Sequence, residues 1–225
     1  MIYGFTAEGV GSFDGKTLNG AHGKEVIKHM LSLFTHETHQ IIGQIGVLQK
    51  ANEIPAFHRL LEQVQVSGML LVGDALHTQK ETVRDILVHH AEYLLFAKDN
   101  QEQLVWDLAT FFSDVPFGSV VDRVFVHENT RKRDVTTSVT ISHDTQMCDY
   151  LLKAGWEKMQ TIGKIQRVGV RVTSDGKETA INETVYCLSS RYLTAAKAGE
   201  LTRNHWQIEK NATLHHTFLR IAGVV

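Results

Sequence analysis

Apolar runs and helically spaced apolar residues alternate along the first half of the chain, and this alternation limits the fold more than any other feature. Residues 69–72 and 93–97 are short runs of strand-forming residues, and the first of them ends at Gly73-Asp74. A helix is predicted from Pro55, because Phe57, Leu60, Leu61 and Val64 lie at helical spacing. Two more helices are predicted over residues 78–90 and 101–112, and two strands of a meander over residues 25–34 and 40–48. Because alternating strands and helices are typical of layered α/β proteins, the sequence predicts a sheet flanked by helices.

The middle of the chain has a different pattern. Alternating or β-branched residues fill four segments that charged turns separate, at residues 120–126, 135–141, 163–173 and 184–189. A helical pattern returns at Thr194 and leads to Glu209. The sequence therefore predicts one α/β domain over residues 1–225, with a β-rich insertion at about 115–190 before the last helix.

The charge balance gives the chain no overall attraction to phosphates. The formal net charge is −2 and the pI is about 6.7, so any surface for nucleic acid must be local. The candidate basic clusters are Arg131, Lys132 and Arg133, then Lys164, Arg167 and Arg171, then Arg191, Lys197, Arg203 and Lys210. An ordinary solvated surface is the alternative interpretation of each cluster.

The cysteines and the N-terminus indicate in which cellular compartment the protein is expected. Cys148 and Cys187 fit neither a disulfide framework nor a CxxC metal site, so we expect both to be reduced. No apolar run reaches the roughly 18 residues of a membrane span. The N-terminus also lacks the pattern of a signal peptide. We therefore expect a cytoplasmic protein with no membrane partner.

The segment Asp14-Gly15-Lys16-Thr17, predicted as a turn, invites comparison with a phosphate-binding loop. Such a loop needs four residues between its first glycine and the Gly-Lys-Thr. Gly9 leaves five residues and Gly11 leaves three. The spacing therefore argues against a nucleotide-binding loop.

Asp14 and Asp74 are the more informative residues, because each lies near the end of a predicted strand. Carboxylates that converge there would repel each other unless a cation lay between them, and hard oxygen donors suit Mg²⁺ or Mn²⁺. The alternative is that both aspartates only cap turns. Residue chemistry alone leaves both interpretations open.

Glu209 supplies a third acid on the last predicted helix, one turn after His205. A His–Glu pair at this spacing could bind zinc, but the second histidine of an HExxH pattern is absent from the sequence. Alternatively, Glu209 is a solvated acid paired with Lys210 or Arg203.

Seven segments in order resemble the motifs of insertion-sequence transposases of the H-repeat-associated type. They are Asp14-Gly15-Lys16-Thr17-Leu18 (DGKTL), Lys50-Ala51-Asn52-Glu53-Ile54 (KSNEI), Asp74-Ala75-Leu76 with Thr78-Gln79-Lys80 (DAxxxQ), Ala97-Lys98-Asp99-Asn100-Gln101 (LKGNQ), Arg131 and Arg133 (GHGRxExR), residues 183–190 (ETxYYISS) and His205-Trp206-Gln207-Ile208-Glu209 (HWxIE). Singly these motifs are weak, but in this order they cover nearly the whole chain. The chain is therefore identified as a member of this family of DDE transposases.

The resemblance implies an RNase H-like fold and two-metal phosphoryl transfer. Asp14 would bridge two Mg²⁺ or Mn²⁺ ions, and Asp74 and Glu209 would each hold one. The reaction would be DNA strand cleavage at transposon ends, followed by strand transfer into target DNA. Five basic residues are the expected DNA contacts, namely Lys16, Lys98, Arg131, Arg133 and Arg203. Partners would be DNA and a second copy of the chain in a homo-oligomer, with nucleoid association when DNA is bound.

Departures from the family pattern lead us to expect a truncated or decaying member, since the chain starts only 13 residues ahead of Asp14 and stops at Val225. Asn19 stands where the family has arginine, and the Leu214-His215 pair comes two residues late, a rotation of roughly 200° around a helix. Three hypotheses follow: an active DDE enzyme, an impaired remnant that still binds DNA or full-length transposase, and a similar fold whose carboxylates only cap turns.

Overall fold

The computed structural model describes residues 9–17, 29–38, 40–47, 53–115, 119–173 and 176–207, with the backbone alone for Lys16 and Thr17. The chain divides into two compact units, Met1–Tyr93 with Leu201–Val225, and Leu94–Glu200. Within the described ranges, no helix is long and apolar enough to cross a membrane. The single-domain organisation with an insertion stays a prediction.

The first unit contains four strands: β1 (Val10–Thr17), β2 (His29–Thr35), β3 (Ile41–Val47) and β4 (Leu70–Gly73). They lie in the order β3-β2-β1-β4. The first three form an antiparallel meander, whereas β4 pairs with β1 in parallel. Their core-facing residues, such as Phe13, Leu31 and Leu33, are completely buried.

Helices α1 (Glu53–Gln63) and α2 (Lys80–Val88) belong to the same unit. Phe57, Leu60 and Leu61 of α1 are buried, as the helical spacing of the apolar residues predicted. A short 3₁₀ turn, Ala75–His77, connects β4 to the segment before α2. The predicted helices and the predicted strand at residues 69–72 are therefore confirmed, with boundaries that shift by a few residues.

Strand β5 (Glu92–Ala97) begins in the first unit, where the Glu92 amide donates to the Met69 carbonyl at 2.8 Å. The second unit adds β6 (Val121–Thr130), β7 (Arg133–Ser142), β8 (Thr161–Val172) and β9 (Glu178–Ser189). In this unit the order is β5-β9-β8-β7-β6, and every neighbouring pair is antiparallel. Its helices are α3 (Glu102–Ser113), α4 (Thr145–Lys153) and residues 195–200 of α5. Helix α5 is described over residues 195–207, and its residues from Leu201 onward belong to the first unit.

These elements confirm the predicted α/β class. The described residues form five α-helices with both parallel and antiparallel strands. An antiparallel meander with a fourth strand parallel to its first is consistent with the predicted RNase H-like fold. Both cysteines are free and buried, which confirms the prediction of reduced thiols.

Two predictions about local structure were wrong or incomplete. The predicted turn at Asp14-Gly15-Lys16 is part of β1, because β2 continues to pair with these residues as far as Thr17. Helix α4 was not predicted within the β-rich region. It begins at Asp144, whose carboxylate accepts a hydrogen bond from the Met147 amide at 2.8 Å, a typical helix N-cap.

Candidate active site

Asp14 lies in the middle of β1, at the point where the pairing of β1 changes. Residues up to Phe13 pair with both β2 and β4, whereas Asp14 pairs with Ser32 of β2 alone. Its side chain is 7 % exposed. A carboxylate this buried needs compensating interactions, since an isolated buried charge costs several kcal/mol, on the order of 20 in the idealised limit.

Asp74 follows the last residue of β4 and is half-buried. Its backbone is extended, and its side chain caps the 3₁₀ turn by accepting from the His77 amide at 3.4 Å. The interpretation of Asp74 as a residue that caps a turn is therefore partly correct. One carboxylate oxygen in a long hydrogen bond leaves acceptor capacity for a further ligand.

The two aspartates are brought together by strand register. Phe13 and Gly73 are partners in the parallel β1–β4 pair, so Asp14 and Asp74 each follow a paired residue at the same edge. Neighbouring strands lie about 4.8 Å apart. Gly73 is required there because a Cβ atom would collide with the ring of Phe13. The arrangement places two carboxyl groups at one strand edge, where a divalent cation could lie.

Glu209 lies outside the described residues, as do all residues after 207. Helix α5, which leads toward it, is described as far as Gln207 and buries His205, which is 1 % exposed. In the described part of the chain, no three His, Cys, Asp or Glu side chains are grouped so as to hold a metal. The carboxylate triad therefore stays a prediction.

The predicted DNA contacts fall in different places. Lys98 follows β5 and is exposed, Arg203 is exposed on α5, and the Lys16 side chain is not described. Arg131 and Arg133 share the β6–β7 hairpin turn, and Arg133 lies opposite Arg171 of β8. The Arg133 guanidinium is 4.0 Å from the Glu128 carboxylate, a contact too exposed and long to contribute much. The sequence had placed Arg171 in another cluster, because the pairing of β7 with β8 is not visible in sequence.

His77 is a residue of this region that the sequence interpretation missed. Its ring is completely buried, edge-on to Phe13 at 4.9 Å and tilted against Phe57 at 5.5 Å between centroids. Among the described residues, neither ring nitrogen has a hydrogen-bond partner. Burial lowers the pKa of His77 to about 4, an effect that the charge of Asp74 opposes and that of His205 reinforces.

The lowered pKa of His77 predicts a specific dependence of stability on pH. Between pH 6.5 and about 4 the unfolded chain binds a proton that the folded chain excludes, so stability falls as the pH falls through this window. At about 1.4 kcal/mol per pH unit, the loss is at most about 3 kcal/mol. We expect His77→Phe to lose less stability than wild type when urea unfolding is compared at pH 7 and pH 4.5.

The control for this prediction is His127→Gln, which removes an exposed histidine. That variant should keep the pH dependence of the wild type. An unchanged slope in His77→Phe would show that His77 does not contribute to it.

The donor chemistry of this region fits a divalent cation. Asp14 and Asp74 provide hard oxygen donors of the kind that Mg²⁺ and Mn²⁺ prefer. A third carboxylate, that of Glu53, packs on Gly15, where its oxygen atoms lie 2.7 and 2.8 Å from the position that a Cβ atom would take. Gly15 thus leaves space for Glu53 on the face of β1 that also carries Phe13, whereas the Asp14 side chain faces the other side of the strand, because side chains alternate along a strand.

Comparison with known proteins identifies the family. The sequence profile of the family described as "Transposase DDE domain" matches residues 5–222. A protein of Escherichia coli O157:H7 named "Putative transposase YncI" is 28% identical over 203 residues, which are 88% of this chain and 51% of that protein. "H repeat-associated putative transposase YhhI" of Escherichia coli (strain K12) is 25% identical over 206 residues, 88% of this chain and 53% of that protein.

A third relative matches over a shorter range. "H repeat-associated putative transposase YbfD" of Escherichia coli (strain K12) is 32% identical over 96 residues, 41% of this chain and 38% of that protein. The chain spans about half the length of the first two relatives. Because the family profile covers nearly all of its residues, this chain belongs to the transposase DDE domain family.

Proposed function

We propose that the chain carries the catalytic core of a DDE transposase, which cleaves DNA strands and transfers them in a divalent-metal-dependent reaction. The observation that carries this proposal is the register of β1 and β4, in which Phe13 and Gly73 pair and the aspartates follow. Family membership supports the same reaction class. DNA at transposon ends and in the target would be the substrate, with assembly into a homo-oligomer.

Three carboxylates, Asp14, Asp74 and Glu209, would hold the cations. Two bound cations would activate the attacking oxygen and neutralise the negative charge that develops on the leaving oxygen. By resemblance to the family, Asp14 would contact both ions, and Asp74 and Glu209 one each. The attacking water or 3′-hydroxyl forms a new bond to phosphorus while the bond from phosphorus to the leaving 3′-oxygen breaks. Burial of Asp14 restricts its rotamers and thereby fixes the position of its oxygen atoms.

Nicking of supercoiled plasmid tests the proposal. We expect the full chain to nick DNA in Mg²⁺ or Mn²⁺ and to lose this activity in EDTA. Asp74→Asn should be inactive because the amide is neutral and its NH₂ group cannot hold a cation. Asp149→Asn, which changes an exposed aspartate on α4, should remain active.

Equal nicking by wild type and Asp74→Asn would mean that the activity comes from a contaminant. A wild type that binds DNA but never nicks it would favour the impaired-remnant hypothesis instead.

The β6–β7 hairpin turn would bind DNA phosphates through Arg131 and Arg133. Removal of one arginine–phosphate interaction should reduce the slope of log K against log salt by about 0.9. We therefore expect Arg131→Gln combined with Arg133→Gln to lower the slope by about two and to weaken binding irrespective of base sequence. Fluorescence anisotropy with a labelled duplex at several salt concentrations measures this.

The matched control is Lys153→Gln combined with Lys158→Gln, which removes two exposed charges elsewhere in the second unit. If both double variants reduce the slope equally, the hairpin has no special role and the effect reflects net charge.

A further inference from the structure

We propose that Arg133 of β7 and Arg171 of β8 together bind one phosphate group of the DNA backbone. This inference rests on the proposed function and deepens it, because it extends the DNA surface from the β6–β7 hairpin turn to β8 and assigns the phosphate to one face of the sheet. The two arginines are direct partners in the antiparallel β7–β8 pair. Partner residues in such a pair point their side chains to the same face, with Cβ atoms about 4.5–5.5 Å apart.

A close approach of the two strands accompanies this pair. At Gly169, two residues before Arg171, a Cβ atom would collide with the Asp134 carbonyl oxygen and would lie 2.7 Å from the Cα atom of Val135. Gly169 also has a φ angle of 156°, a backbone conformation that favours glycine. The β7 and β8 backbones are therefore in contact beside the two arginines, and the face of β8 between Arg167 and Arg171 carries no side chain.

The charges on this face of the sheet are unevenly compensated. Arg167, the next arginine along the same face of β8, forms an ion pair with Glu183 of β9 at 2.9 Å. Arg133 lies 4.0 Å from Glu128 and its side chain is 37 % exposed, so this contact contributes little. Arg171 is exposed and, within the ranges that the structure describes, its side chain forms no ion pair.

The uncompensated pair of arginines favours an anion as ligand. Like charges that lie directly opposite each other in a strand pair destabilise a sheet, and an anion between them turns the repulsion into attraction. Thr130 of β6 and Thr179 of β9 are the outer neighbours of Arg133 and Arg171, so this row of four residues contains two cations and no acid. Guanidinium groups bind phosphate through two parallel hydrogen bonds, which suits a phosphate held between two of them.

The surroundings of the pair favour a nucleic-acid backbone over a single small anion. The Val172 amide donates to the Lys132 carbonyl at 2.8 Å, so the β6–β7 and β8–β9 turns lie at the same end of the sheet. Arg131, Lys132 and Lys177 are exposed in these turns. A nucleic acid carries a negative charge at every phosphate, so it can use several neighbouring cations at once.

Fluorescence anisotropy of a labelled duplex with the full chain, at several salt concentrations, tests whether the two arginines share a phosphate. Loss of one neutralised phosphate lowers the slope of log K against log salt by about 0.9. We expect Arg171→Gln to lower the slope by about 0.9, as Arg133→Gln does, and the double variant by about 0.9 as well. A decrease of about 1.8 in the double variant would mean that the arginines bind separate phosphates, which contradicts the proposal.

Arg167→Gln is the matched control, because it removes the same charge from the same face of the same strand, where the guanidinium is already paired with Glu183. It should leave the slope nearly unchanged. Equal decreases in Arg167→Gln and Arg171→Gln would reflect net charge alone and would overturn the proposal. Arg171→Lys keeps the charge but not the planar guanidinium, so it should keep the slope and weaken the binding of duplexes of unrelated sequence equally.

Competition distinguishes backbone phosphate from free phosphate. Inorganic phosphate should displace the labelled duplex no better than chloride of equal ionic strength. Saturable displacement by inorganic phosphate that is lost in Arg171→Gln would assign the pair to a free phosphate ligand and contradict a role in DNA binding.

The double variant Arg131→Gln with Arg133→Gln separates the failure of this inference from the failure of the proposed function. If that variant lowers the slope while Arg171→Gln behaves as Arg167→Gln does, the hairpin turn binds DNA and Arg171 has no part in it. If the wild type binds no duplex at any salt concentration, the proposed function itself is wrong.

Discussion

Replacing Phe13 by alanine is expected to lower the free energy of unfolding by about 3–5 kcal/mol, the usual cost of removing a buried phenyl ring. Phe13 is completely buried, its ring centroid lies 4.3 Å from that of Phe57, and it also contacts His77. The ring lies over Gly73, so the neighbouring strand has no side chain that could refill the space. At about 2–4 °C per kcal/mol for a chain of this size, the melting temperature should fall by roughly 10 °C.

Urea unfolding followed by tryptophan fluorescence measures this decrease in stability. Phe125→Ala is the control, because Phe125 is 64% exposed and its removal should change stability by less than about 0.5 kcal/mol. Similar decreases in the two variants would contradict the packing described around β1 and β4.

Asp14→Asn is expected to reduce metal-dependent nicking by on the order of 10³-fold while the fold is retained. Asparagine has nearly the same shape, so the packing of β1 should not change. The variant loses a charge that would contact both cations, and metal ions contribute several kcal/mol of transition-state stabilisation. Since about 1.4 kcal/mol corresponds to a tenfold change in rate, a reduction of this size follows.

Single-turnover nicking, with circular dichroism as a check on folding, measures the effect. Ser32→Ala is the control. It changes the β2 residue that pairs with Asp14, and it should keep nearly full activity. If Asp14→Asn nicks at more than about a tenth of the wild-type rate, Asp14 cannot be a principal metal ligand.

Much of the first unit could be predicted from the sequence because its signals are local. The apolar stripe at Phe57, Leu60 and Leu61 specifies α1 without reference to the rest of the chain. The run at 70–73 specifies a buried strand in the same way. Asp74 was correctly placed at the end of that strand for this reason.

The errors arose where contacts between distant residues decide the structure. The segment at Asp14-Gly15 looked like a turn because glycine is common in turns, but pairing with β2 keeps it extended. His77 gave no local signal of its burial, since its position depends on contacts with Phe13 and Phe57.

The central claim is that Asp14 and Asp74 hold a divalent cation between them. Isothermal titration calorimetry with MnCl₂ tests it most directly, on the full chain as wild type, Asp14→Asn and Asp74→Asn. We predict that wild type binds Mn²⁺ and that each single substitution weakens binding at least about tenfold. Binding of wild-type affinity in either variant would contradict the claim.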